Sequence, residues 1–173
     1  RHPRAVDTSA RRGAKVLTAR QRQTARILIV DDDPRDASRL ARMLMASGYA
    51  AIREVNDPRE AADVCREFLP DAVLLDVDMP EVGGFEVLRQ FDEFGAGAYF
   101  PVLMIVSDDD RETCLRALAS PAKDFLTKPL DPEELSARLE NVLEVRFLYD
   151  MLARRESKIE SVMDATGEAV VLF

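Results

Sequence analysis

A doubly wound α/β domain, with a parallel five-stranded sheet between two layers of helices, is the fold this sequence predicts. Three patterns carry that prediction. Five short apolar runs alternate with five stretches of helical periodicity, polar residues collect where the runs end, and turn residues separate the two kinds of segment throughout.

The first run, Ile27 to Val30, is continuous and rich in β-branched residues, as a strand buried on both faces must be. Asp31, Asp32, Asp33 and Pro34 then end the strand and open a helix, where Ala37, Leu40, Ala41, Leu44 and Met45 share one face until Gly48 stops it. A second strand spans Tyr49 to Val55. Asn56, Asp57 and Pro58 start the next helix, with Ala61, Ala62, Val64, Cys65 and Phe68 inside, and Pro70 and Asp71 lead into the strand Ala72 to Leu75. After a Pro80 to Gly84 loop come a helix from about Phe85 to Phe94, the strand Pro101 to Val106 and a helix near 110–119. The short strand Asp124 to Thr127 and a final helix from Asp131 complete the alternation. Right-handed crossovers between such strands make the pairing parallel and cover the sheet twice.

Composition narrows the function. The 173 residues carry a net charge of −8, yet residues 1–26 hold eight Arg or Lys against the single Asp7. The acidic body repels phosphate backbones, so direct nucleic-acid binding by it is not expected. No apolar run approaches the roughly 20 residues of a membrane span, and no secretory signal is visible, so cytoplasm is the expected compartment. Cys65 and Cys114 lack metal or redox spacing and read as reduced, buried thiols. His2, in the polar arm, is the sole histidine, which argues against histidine-based catalysis or ligation.

Ligands of doubly wound sheets bind outside the carboxyl ends of the strands. There the sequence places Asp31 and Asp32, Asp76, Ser107 and Lys128. Carboxylates about 4 Å apart repel by about 4 kcal/mol at an effective dielectric of 20, so three of them call for a cation. An oxygen-only set favours Mg²⁺, with Mn²⁺ as a substitute. Asp76 is then a candidate phosphoryl acceptor, with Lys128 neutralising charge and Ser107 donating to a phosphoryl oxygen.

ILIVDDDP at 27–34, PDAVLLDVDMPEVGGFEVL at 70–88, PVLMIVS at 101–107 and DFLTKPL at 124–130 resemble, in order and spacing, the four signatures of response-regulator receiver domains of two-component signalling. The resemblance covers about residues 26–145. It implies a flavodoxin-like sheet of strand order 2-1-3-4-5, Mg²⁺-dependent phosphorylation of Asp76 by a sensor histidine kinase or phosphotransfer protein, and slow self-catalysed hydrolysis. It is not the pattern of an enzyme acting on an outside substrate. By motif position, Asp31 and Asp32 are the acidic metal pair beside Asp76, and Asp78 gives its backbone carbonyl to the metal. Ser107 and Lys128 contact the phosphoryl group, Phe125 is the aromatic switch residue that moves with Ser107, and Pro129 is a cis-proline. Asp78, Asp108 and Gly84 depart from the commonest pattern, and the two carboxylates are expected to alter phosphoryl lifetime. The stretch Ser120 to Lys123 lacks the usual Gly-Ala turn.

Four segments follow: a basic, disordered arm at 1–25, the receiver core at 26–130, the last helix extended as a signalling coiled coil over 131–164, and the start of a downstream, PAS-like domain at 165–173, where a strand is expected after Gly167. Leu135, Val142, Val145, Tyr149, Leu152, Ile159 and Met163 form a 3-4 seam, broken by Arg138 and Glu156, that predicts a parallel homodimer. Two rivals remain: a haloacid-dehalogenase-type phosphotransferase using the Asp31-to-Asp33 spacing, and a degenerate receiver serving only as a dimerisation or interaction module.

Overall fold

The computed structural model describes residues 17–80, 82–91, 94, 99–107 and 111–170, with 160 and 162–170 as backbone alone. Residues 1–16 of the expected arm, Asp108 and the terminal residues 171–173 lie outside the described residues. Five strands, β1 (Arg26–Val30), β2 (Ala51–Val55), β3 (Ala72–Asp76), β4 (Val102–Ser107) and β5 (Asp124–Lys128), form one parallel sheet in the order β2-β1-β3-β4-β5. The helices are α1 (Ala19–Thr24), α2 (Pro34–Ala46), α3 (Ala61–Phe68), α4 (Gly84–Phe91), α5 (Arg111–Leu118) and α6 (Pro132–Val170).

Alternation along the strands builds two cores. Ile27 and Ile29 of β1 face Leu40, Leu44, Leu139 and Leu143 of α2 and α6, while Leu28 and Val30 face Cys65, Val87 and Phe91 of α3 and α4. The three central strands β1, β3 and β4 are therefore apolar on both sides, which is why they read as unbroken runs, whereas the edge strands β2 and β5 are only partly buried. Asp33 caps α2 by accepting the Arg35 N–H at 2.9 Å, with Pro34 in the first helical turn. A 3-10 turn, Pro58–Glu60, precedes α3.

Two ends differ from the sequence reading. Within the arm, the described residues 17–25 are structured. Thr18 and Gln21 make a reciprocal capping box on α1, Leu17 is buried in the core, and Arg22 pairs with Glu140 of α6 at 2.7 Å. These anchors offset the weak helix tendency of a six-residue polar segment. At the other end α6 runs unbroken through Val170, so the backbone after Gly167 is helical where a strand was expected.

The seam on α6 divides likewise. Leu135 and Val142 are buried in the domain's own core, whereas Val145, Leu152 and Ile159 are exposed. Tyr149 stacks on Tyr99 at 5.3 Å and 13°, and Arg146 donates to the Tyr99 carbonyl at 2.7 Å. Met163 has no described side chain. Among the described residues, no helix is long and apolar enough to cross a membrane. The Ser120 turn closes without the Gly-Ala pair, because Ser120 Oγ donates to the Ala117 carbonyl at 2.7 Å and accepts the Ala122 N–H at 3.2 Å.

Candidate functional site

Register brings the site residues to one edge. Val30 lies beside Leu75, so Asp31 and Asp76 follow on neighbouring strands, and Ser107 pairs in register with Lys128. Asp31 and Asp76 are the two charged side chains buried among the described residues, each 2% exposed. Carboxylate oxygens of Asp31, Asp32 and Asp76 lie within 4.8 Å of one another.

Each anion has a different support. Asp31 Oδ1 accepts the Asp33 N–H at 2.9 Å, and the Asp31 carbonyl accepts from Asn56 Nδ2 at 2.8 Å, which ties the end of β1 to the end of β2. Asp31 Oδ2 is buried without a hydrogen-bond partner. Burial pushes the Asp31 carboxyl up to about 6, with Asp76 adding to the rise and the Asp33 N–H and Lys128 opposing it. Asp76 is raised as well, again chiefly by burial, while the Lys128 ammonium, 2.7 Å from Asp76 Oδ1, works against that rise. The same contact holds Lys128 protonated despite its partial burial.

Asp33 belongs to another task. It is partly exposed, and the Arg35 guanidinium holds its carboxyl down at about 2, so the Asp31-to-Asp33 spacing that a dehalogenase would use points one carboxylate at a helix cap. Ser107 sits at the end of β4 and donates its hydroxyl to Asp78 Oδ2, a contact that spacing in sequence did not disclose. Phe125 is half-buried against the α3–α5 core. The Lys128–Pro129 bond is cis. A cavity of about 520 Å³, lined by Asp31, Arg39, Met43, Ser107, Lys128 and Leu130 among others, adjoins the cluster.

Gly84 is a functional position that sequence reasoning treated only as a departure. A Cβ there would fall 2.3 Å from the Asp76 carbonyl oxygen and 2.8 Å from Val77 Cα, so only glycine lets α4 start this close to the strand end. The adjacent Gly83 and Gly84 were the available signal.

The fit to a cation rests on the donor atoms. Three carboxylates converge, one oxygen is buried and unpartnered, and the set is oxygen only. Such a set suits a hard divalent ion, which Asp31, Asp32 and Asp76 could hold.

Comparison with known proteins agrees with this arrangement. Residues 27–140 match the family model described as the response regulator receiver domain. Response regulator PleD of Caulobacter vibrioides is 37% identical over 134 residues, covering 78% of this chain and 29% of PleD. Protein PilH of Pseudomonas aeruginosa is 34% identical over 119 residues, covering 69% of this chain and 98% of PilH. The structure of Vibrio cholerae chemotaxis protein CheY4 superposes with a TM-score of 0.60 at 28% identity, covering 68% of this chain and 98% of that one. The chain thus spans under a third of PleD but matches PilH and CheY4 almost end to end. With the fold, the acidic cluster and the family match in agreement, the chain belongs to the response regulator receiver domains.

Proposed function

We propose that this receiver domain accepts a phosphoryl group on Asp76 from the phosphohistidine of a sensor histidine kinase or phosphotransfer protein, and that the modification controls a dimer formed through α6. An Asp76 carboxylate oxygen attacks phosphorus, an O–P bond forms as the P–N bond to the imidazole breaks, and the ring nitrogen keeps the electron pair. Water later attacks the acyl phosphate, which releases inorganic phosphate and restores the carboxylate. The chain turns over no external substrate; its chemistry is confined to its own aspartate.

The observation that carries this reading is the 2.7 Å contact of Lys128 Nζ with Asp76 Oδ1 inside a cluster of three carboxylates. Lys128 holds the acceptor in place and offers its charge to the incoming phosphoryl oxygens. Asp31, Asp32 and Asp76, with the Asp78 carbonyl, would hold magnesium, or Mn²⁺ in its place, and the ion would supply the remaining positive charge. Ser107 donates its one proton to a phosphoryl oxygen, and half-buried Phe125, on the neighbouring strand, fills the space that Ser107 leaves. Exposed Val145, Leu152 and Ile159 support pairing of α6 with a second copy, in the cytoplasm.

Incubation with acetyl phosphate and Mg²⁺, followed by phosphate-affinity electrophoresis, tests the reading. A retarded band that Asp76→Ala abolishes is expected. Folded protein that takes up no phosphate would leave only a degenerate receiver acting as an interaction module.

A further inference from the structure

Ser107 and Asp78 meet across the mouth of the site although they lie 29 positions apart in the chain. Ser107 is the last residue of β4, and Asp78 is the second residue after the end of β3. The Ser107 hydroxyl has one proton, and it is donated to Asp78 Oδ2. Among the described residues no side-chain hydrogen bond joins the Ser107 hydroxyl to Asp76 or Lys128. An O–H to carboxylate bond is charge-assisted and roughly twice as strong as a neutral one. A phosphoryl group on Asp76 would therefore meet a hydroxyl already engaged.

We infer that the Asp78 side chain is a latch on Ser107, a positioning residue that opposes the response to phosphorylation by competing for the one proton Ser107 can donate. The inference rests on the phosphoacceptor reading of Asp76. Asp78 is exposed and its carboxylate is spared any packing duty, so its removal frees Ser107 without opening the core. The backbone carbonyl of residue 78 is untouched by side-chain substitution. The latch thus acts on the hydroxyl alone and sets how much of the phosphoryl group's attraction is used in drawing Ser107 away from its resting partner.

Two measurements test it. In magnesium-free protein, three-bond couplings of Ser107 report its χ1 rotamer by NMR, with no phosphoryl chemistry involved. One rotamer is expected in the natural chain and averaged couplings in Asp78→Ala, with Asp78→Asn in between. Averaging in the natural chain overturns the latch.

The second measurement is a double-mutant cycle read by the affinity for beryllofluoride in the presence of Mg²⁺. Asp78→Ala is expected to tighten binding about five- to tenfold when Ser107 is present, as loss of a charge-assisted bond implies, and less than about twofold in a Ser107→Ala background. Equal tightening in both backgrounds means that Asp78 acts by charge alone, which overturns the latch while leaving the phosphoacceptor reading standing. No beryllofluoride binding by any folded variant, with a single Ser107 rotamer in the natural chain, defeats the phosphoacceptor reading and the latch with it.

Discussion

The Lys128 ammonium reaches across β4 to within 2.7 Å of Asp76 Oδ1, so the carboxylate ending β3 draws its counter-charge from a strand two places away. Removing one partner of a buried pair leaves an uncompensated charge, but Lys128 is 32% exposed, which reduces the penalty. Lys128→Ala is expected to cost about 2 kcal/mol in urea titrations at pH 7 with chelator present. Asp76→Asn, which relieves the crowding of three carboxylates, should leave stability unchanged or raise it by about 1 kcal/mol. The double variant should return close to the natural chain. Full additivity of the two single effects would argue against the pair.

Gly84 tests how closely α4 abuts the end of β3. Because a Cβ would fall 2.3 Å from the Asp76 carbonyl oxygen, Gly84→Ala must push the strand end aside. A loss of about 2–3 kcal/mol is expected by denaturation. Phosphate uptake from acetyl phosphate should slow in the same variant, because the displaced peptide carries Asp76.

Leu17 and α1 should contribute measurable stability. Leu17 is 5% exposed within the α2–α6 core, so Leu17→Ala is expected to cost about 2 kcal/mol, at the low end for a core truncation because the site lies at the domain edge. Arg22→Ala should cost less, under about 1 kcal/mol, since its pair with Glu140 is partly solvated. Unchanged melting of Leu17→Ala would mean that the arm is detached in solution.

Exposed apolar residues on α6 make association testable. Leu152→Lys combined with Ile159→Lys places charge on a stripe that is open in the single chain, so the receiver should keep its melting temperature while sedimentation equilibrium shifts from dimer to monomer. An equal dimer fraction in the variant would remove α6 as the interface.

Alkaline pH probes Cys65, whose thiol burial pushes up to about 12 from an ordinary 9.0. A folded-state value above the unfolded one means that the unfolded chain releases its proton first. The associated stability is fully present below pH 9 and is lost as pH rises toward 12. By pH 10.5 the loss attributable to this group is about 2 kcal/mol. Cys65→Ala, destabilised at neutral pH, should show a correspondingly flatter decline when urea midpoints are followed from pH 8 to 10.5.

What could be read in advance followed from local rules. The β1, β3 and β4 runs were legible because a sheet covered on both faces demands unbroken apolar residues, and Asp31, Asp76 and Lys128 were legible because strand ends of a parallel sheet share an edge. Helix α1 was not, since its order comes from tertiary contacts of Leu17 and Arg22 rather than from periodicity. Nor was the Ser107–Asp78 bond, which depends on how two loops approach. The apolar run after Gly167 pointed to a strand, yet α6 continues through it to Val170. The seam on the same helix mixed two roles, since one periodicity served the domain's own core at Leu135 and Val142 and open surface farther on.

Helix α6 is gripped at its root, where Leu139 and Leu143 are wholly enclosed, and from Leu143 to Val170 it extends about 40 Å at 1.5 Å per residue. Such a rod is a lever. A tilt of about 5° at the sheet would carry its far end sideways by about 3.5 Å, so a displacement too small to disturb packing at the base becomes one as wide as a hydrogen bond is long at the tip.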